Sequence, residues 1–213
     1  MSILVQNVHD LVRSMLGDVE GELWNDDALM PFTQEAYKKA ARALRSSEMG
    51  IFRKQSSSVA ITAGQTTITR SGSPQLPADL VRPIELRERA SGSGFYTPMN
   101  TSDGFIPSEA PTATIDIWDW FNDTIYLHAC SANRDVEIQY EADLATVTDV
   151  DDVILIPDAL GPLSKMVASM AARSRDELQH SRDWWEQAME DLGQIAASEK
   201  RVKKGQGARF GSK

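Results

Sequence analysis

The sequence predicts an α+β fold: an antiparallel helical bundle formed by N- and C-terminal helices, with a β-rich insertion and an extended C-terminal arm. Apolar residues recur at helical spacing near both ends of the chain, whereas the middle has a strand-like period rich in β-branched residues. The final segment is basic and poor in apolar residues. The bundle is assigned to residues 1–50 and 153–199, the insertion to residues 51–152 and the arm to residues 200–213.

The first predicted helix covers residues 2–16, with Ser2 as its N-cap and Gly17 as the residue that ends it. Its apolar residues follow helical spacing and are Ile3, Leu4, Val8, Leu11, Val12, Met15 and Leu16.

A second helix is predicted for residues 26–48, with Asp26 and Asp27 favoured by the N-terminal end of its dipole. Pro31 is tolerated only in the first turn of a helix, which leaves a start a few residues later open. Trp24 is placed to pack across the beginning of this helix.

The insertion reads as a series of strands joined by turns. Strands are predicted around Val59 and Ile61, at 66–69, from Ile84, and at 113–121, 123–129 and 135–141. In the strand 113–121, Trp118 and Trp120 lie on one face, and Ile115, Ile117 and Phe121 lie on the other. Such a strand is either buried on both faces or makes an aromatic contact with a neighbouring subunit.

Two further helices are predicted after Asp158, which is placed to cap the third helix. Its apolar stripe is Leu160, Leu163, Val167 and Met170, and the fourth helix carries Leu178, Ser181, Trp185, Ala188, Leu192 and Ile195. The two patterns are out of phase near residues 174–177, which predicts a break there. Trp184 points about 100° away from Trp185, so it either widens the buried face or anchors an interface.

Charge is distributed unevenly along the chain. Six of the 22 Lys and Arg lie in residues 200–213, so residues 1–199 hold 16 basic and 31 acidic groups, a net charge of −15. An acidic body argues against a broad nucleic-acid-binding face, because binding phosphates requires clustered Lys and Arg. The tail has too little apolar surface to fold alone, so it is either a solvated tail or is ordered by a surface outside its own domain.

The residues that commonly carry chemistry are scattered. Cys130 is the single cysteine, which predicts no intramolecular disulfide and a reducing compartment. His128 and Cys130 supply only two zinc ligands, and His9 and His180 belong to other elements. We therefore predict no metal, no cofactor and no catalytic residues, and neither a signal peptide nor a membrane span is expected.

An acidic loop begins like a calcium-binding loop with Asp149, Asp151 and Asp152. The pattern then fails, because Ile154 stands where such loops need glycine and Leu160 where they need glutamate. The loop is interpreted as a solvated connection before a helix.

Several segments together resemble the head-to-tail adaptor proteins of tailed bacteriophages, the tail accessory factors of short-tailed phages. These are Trp24 with the helix containing Ala36 and Leu44, Ala63-Gly64-Gln65, Leu76-Pro77-Ala78-Asp79, Ile84, Ile125-Tyr126-Leu127, Val136 to Tyr140, Asp149 to Asp152, and Pro157 with the two closing helices. The chain departs from the family at Gln75, where a tyrosine is frequent, and at His128-Ala129-Cys130, where prolines are frequent.

The resemblance implies a ring of identical subunits, twelve by analogy, below the portal ring and continuous with the DNA channel. Its implied partners are the portal protein, a tail nozzle or tail tube protein, and genomic DNA that passes without sequence-specific binding. The implied location is the virion neck, and the host cytoplasm during assembly. The expected portal-binding residues are Arg201, Lys203, Lys204, Arg209 and Phe210, and the expected interface anchors are Trp184, Trp118 and Trp120.

Two other functions remain open from the sequence. One is a virion-associated cell-wall hydrolase with carboxylates as acid and base. The other is a DNA-binding protein that uses the basic tail.

Overall fold

A computed structural model of the chain describes residues 2–47, 49–92, 94–102, 104, 106 and 110–208, with side chains described as far as residue 198. The chain divides into a helical unit, Met1–Ile51 with Leu144–Lys213, and a β-rich unit, Phe52–Asp143. Residues 144–152, assigned to the insertion from the sequence, belong to the helical unit. The α+β class is confirmed.

The elements are numbered in chain order. The helices are α1 Val5–Leu16, α2 Asp26–Arg45, α3 Leu160–Ser174 and α4 Leu178–Ala208, and a 3₁₀ helix spans Gly50–Phe52. The strands are β1 Ile3–Leu4, β2 Arg53–Gln55, β3 Val59–Ile61, β4 Thr67–Thr69, β5 Leu80–Ala90, β6 Thr97–Pro98, β7 Asn100–Thr101, β8 Ile117–Phe121, β9 Thr124–Leu127, β10 Arg134–Ala142 and β11 Val153–Ile154.

Helix α3 is the centre of the helical unit and contacts α1, α2 and α4. Every residue from Leu160 to Ala172 is buried or half-buried, on all sides of the helix. The sequence predicted only the stripe Leu160, Leu163, Val167 and Met170, because small alanine and serine side chains give no strong apolar period. Small side chains such as Ala168 and Ala171 allow neighbouring helices to approach α3 closely.

The hydroxyl groups of two buried serines on α3 form hydrogen bonds with the neighbouring helices. Ser164 Oγ donates to the backbone oxygen of Val8 in α1 at 3.4 Å, and Ser169 Oγ donates to the backbone oxygen of Ser181 in α4 at 2.6 Å. A buried hydroxyl without a partner would cost stability, so these bonds fix how α1 and α4 sit along α3.

The beginning of α1 differs from its prediction. Residues 3 and 4 form β1, which pairs with β11, and the helix starts at Val5 rather than after a Ser2 cap. Asn7 Oδ1 accepts from the backbone N–H of Leu4 at 2.9 Å and serves the helix start instead. The predicted end is confirmed, because Gly17 adopts a left-handed conformation with φ of 70°.

Helix α2 starts at Asp26, and Asn25 is its N-cap, with Oδ1 accepting from Ala28 N at 2.9 Å. Pro31 lies inside the helix, so the later start left open from the sequence is wrong. Trp24 packs edge-on against Phe32 with ring centroids 6.2 Å apart, as predicted.

The predicted cap of α3 is wrong. Ala159 is the N-cap residue and Asp158 has a φ of 55°, a left-handed conformation that removes its side chain from the cap position. The predicted break between the last two helices is confirmed, because α3 ends at Ser174 and α4 begins at Leu178.

The β-rich unit has two sheets that contribute to one apolar core. In the first, β10 lies between β5 and the short strands β2 and β3, and β6 pairs with β5. In the second, the order is β4-β9-β8-β7, with only the β7–β8 pair parallel among the described strands. The core contains residues of both sheets, including Ile68, Leu86, Ile125, Val136 and Ile138.

We expect Ala168→Leu to destabilise the chain by about 1–3 kcal/mol, because added carbon atoms cannot fit against a helix that is packed on every side. Urea unfolding measures this change. Ala43→Leu, on the exposed side of α2, is the matched control and should lie within about 0.5 kcal/mol of the wild type. Equal stability of the two variants would contradict the central position of α3.

Candidate assembly surfaces

The predicted arm begins inside helix α4. The backbone is helical as far as Ala208, so residues 200–208 are not extended as the sequence predicted. Arg201, Lys203 and Lys204 therefore lie on this helix, whereas Arg209 and Phe210 lie outside the described residues. The sequence does indicate such a continuation, because no clear helix-ending signal follows the apolar pattern of α4.

The first part of α4 is fixed to the bundle. Ser181, Ala188 and Leu192 are buried, and Lys165 Nζ of α3 lies 2.7 Å from Asp191 Oδ2. Leu192 is the last buried residue among those whose side chains are described. The helix continues for sixteen residues beyond it, about 24 Å at 1.5 Å per residue.

The two adjacent tryptophans of α4 are both half-buried. Trp184 stacks on His180 with ring centroids 5.7 Å apart, and Lys39 of α2 lies 5.3 Å from the ring centre of Trp185. The cation over Trp185 helps to join α2 to α4. Trp184 keeps part of its ring accessible, which leaves its proposed role as an anchor open.

The tryptophans of β8 point toward the core of the β-rich unit. Trp118 is 3% exposed and belongs to that core, and Trp120 is half-buried against it. Trp118 is therefore a core residue and not an accessible interface anchor in this structure. The open side of the same strand carries Phe121, which is among the exposed large apolar residues.

An exposed phenylalanine, missed from the sequence, lies between β5 and β6. Phe95 is 96% exposed, in a connection where the sequence predicts neither a strand nor a site residue. The loop is held at its base by Asp135, which accepts from Gly92 N at 3.0 Å and from Ser91 Oγ at 3.2 Å. Arg89 also contacts Asp135 at 3.2 Å and covers the ring of Tyr96 at 4.6 Å.

Asp135 is an ionised anchor of this loop. The backbone N–H of Gly92, together with the Arg89 guanidinium and the Ser91 hydroxyl, holds the pKa of Asp135 below its usual range. These donors all favour the carboxylate over the neutral acid.

A second surface loop, residues 17–24, displays two aliphatic side chains. Val19 is 73% exposed and Leu23 is 52% exposed. The Asp18 carboxylate closes the loop by accepting from the backbone N–H groups of Leu23 at 3.1 Å and Trp24 at 2.6 Å. Gly21 has a φ of 70°, and a Cβ there would lie 3.1 Å from Arg13 Nε.

The acidic loop before β11 is closed by its own backbone. The Asp152 carboxylate accepts from the N–H groups of Thr148 at 2.6 Å and Asp149 at 2.9 Å, which hold the pKa of Asp152 below its usual range. Asp149 Oδ1 accepts from Asp151 N at 3.1 Å. The lone pairs that a calcium ion would need are thus partly used by the loop itself.

His128 and Cys130, the two candidate zinc ligands, do not form part of a metal-binding cluster among the described residues. His128 Nδ1 lies 3.0 Å from Asp116 Oδ1, and burial raises the pKa of the Cys130 thiol. Within the described part of the chain, no three His, Cys, Asp or Glu side chains are grouped to hold a metal ion. No described helix is long and apolar enough to cross a bilayer.

Asp135→Asn should destabilise the chain by about 1–2 kcal/mol near neutral pH, because hydrogen bonds to a charged acceptor are lost. The low folded-state pKa means that the carboxylate stabilises the fold above the unfolded value of about 3.9, and this contribution disappears as pH falls through the folded value. Urea unfolding across this pH range should therefore show the wild type and the variant converging in acid.

Asp151→Asn, at an exposed position, is the matched control and should stay within about 0.5 kcal/mol of the wild type. A constant difference between Asp135→Asn and the wild type down to the most acid pH would contradict the role given to the charge.

A family model described as SU10 adaptor protein matches residues 5–209, which include both units and α4 to its end. No curated protein matches the chain.

Proposed function

The chain belongs to the SU10 adaptor protein family, a family of phage head-to-tail adaptors, and we propose that it forms a ring beneath the portal that continues the DNA channel toward the tail. The match over residues 5–209 carries this proposal, because it covers nearly the whole chain. The resemblance identified from the sequence is confirmed for the family. A structural role in the phage neck is favoured over the hydrolase and DNA-binding alternatives.

In this proposal the distal part of α4 and the residues after it bind the portal protein. The bundle fixes α4 as far as Leu192, and the helix then continues toward the basic residues Arg201, Lys203 and Lys204. These cations select an acidic portal surface, and Phe210 supplies an apolar anchor. A helix that is already formed to Ala208 loses less conformational freedom on binding than an unfolded tail would lose.

The acidic body suits the wall of a DNA channel. Residues 1–199 have a net charge of −15, so their average field repels the phosphate backbone and disfavours sticking as DNA slides past. Genomic DNA is then a passing cargo and not a sequence-specific ligand. The other partners are a tail nozzle or tail tube protein and further copies of this chain, with twelve subunits per ring by analogy.

Contacts with neighbouring proteins also need apolar anchors. Trp184 and Trp120 keep this proposed role, since both are half-buried and tryptophan is enriched at binding hot spots. Phe95 and Phe121 are further candidates because of their exposure. Trp118 does not share this role, because its side chain is in the core of the β-rich unit.

Removal of residues 200–213 should leave the fold intact and abolish association with portal rings, because Leu192 is the last described buried residue of α4. Co-sedimentation with purified portal rings measures binding, and urea unfolding checks the fold. Replacing Arg201, Lys203 and Lys204 together by Gln should weaken binding strongly, by about tenfold or more.

The matched control replaces three exposed cations near the α3–α4 connection, Arg173, Arg175 and Arg182, by Gln, with the same change in net charge. It should bind portal rings as the wild type does. Undiminished binding by the truncated chain would contradict the proposal that this segment docks on the portal.

A further inference from the structure

The outward side of α2 carries a basic face on an otherwise acidic body. Lys38 and Arg42 are exposed and four residues apart, so they lie on the same side of the helix. Lys39 has other contacts, with Glu35 at 3.3 Å and with the ring of Trp185. Among the described residues, Lys38 and Arg42 have no ion-pair partner, and we call this pair the α2 basic face.

The loop 17–24 has the complementary character. It contains Asp18, Glu20 and Glu22 and no Lys or Arg, and it displays Val19 and Leu23. Glu20 and Glu22 are exposed, whereas the Asp18 carboxylate is used to close the loop. The loop therefore presents two aliphatic groups beside two free carboxylates in a shape that is fixed before any partner binds.

Within one subunit, the loop 17–24 adjoins the start of α2, whereas the α2 basic face lies in the second half of the helix. The loop leads directly into the first turn of α2, whereas Lys38 lies twelve residues after Asp26, about 18 Å along the axis at 1.5 Å per residue. Arg42 lies one turn farther away. A side chain at the start of α2 is therefore too far from Lys38 to form a salt bridge with it.

We propose that the loop 17–24 of one copy docks on the α2 basic face of a second copy of this chain. The contact is heterologous, since it joins two different patches, and repeated contacts of this kind generate a ring when the rotation between copies closes. The docking rests on the proposed ring and specifies which surfaces hold neighbouring subunits together.

The aliphatic and the charged side chains contribute differently to the free energy of docking. Burial of Val19 and Leu23 supplies hydrophobic stabilisation, and the closed loop loses little conformational freedom when it binds. The opposite charges set the register and speed the encounter, and they exclude contacts between two acidic surfaces. The association therefore weakens as salt screens the charges.

Charge reversal tests the docking. The loop variant is Glu20→Lys with Glu22→Lys, and the helix variant is Lys38→Glu with Arg42→Glu. Each alone places like charges at the contact and should weaken association between copies by about tenfold or more. An equimolar mixture of the two variants should associate as the wild type does, because each variant then meets opposite charges on both of its sides.

The readout is sedimentation velocity of the full chain, free and bound to portal rings, and urea unfolding verifies the fold of every variant. Glu186→Lys with Glu190→Lys, on the exposed side of α4, is the control matched to the loop variant, with the same change in net charge, and should associate normally. Val19→Ser with Leu23→Ser should weaken association without changing its charge dependence.

The proposal is overturned if the loop and helix variants associate like the wild type, if their mixture is no better than either alone, or if the α4 control is weakened equally. Binding to portal rings is scored separately. Chains that join portal rings without contacting each other overturn the docking and leave the proposed function standing. Chains that show the predicted charge pattern but ignore portal rings support the docking and contradict portal binding.

Discussion

The burial of α3 on all sides is the constraint on which the helical unit depends. A helix in this position needs neighbours all around it, and they come from both sides of the β-rich insertion in the sequence: α1 and α2 before it and α4 after it. Both ends of the chain are thereby held in one unit, although the β-rich unit lies between them in the sequence. Loop-closure entropy increases slowly with length, so an insertion of this size is compatible with such a core.

Because α3 must be covered by its neighbours, α4 has two parts with different roles. As far as Leu192 its apolar side is committed to the bundle, and beyond that residue its sequence becomes basic and rich in glycine. A structural adaptor needs one end fixed in its own fold and another available to a foreign surface. We propose that α4 serves as both, since its backbone is helical from Leu178 to Ala208.

Periodicity and charge predicted the four helices, the β-rich middle, the break near Ser174 and the basic character of the C-terminal end. Helix starts were less predictable: β1 pairs with β11, about 150 residues later, and this tertiary contact displaces the start of α1 from its local signal. The strand β8 shows why the aromatic sites were partly misplaced. Alternation assigned Trp118 and Phe121 to opposite faces correctly, but no local pattern says which face meets the core.

Electron cryomicroscopy of the full chain bound to portal rings tests the central claim most directly. The account predicts that residues 200–208 remain helical and lie against the portal protein, while α3 stays enclosed within each subunit. A bound state in which those residues fold back on their own subunit and touch no second protein would contradict it.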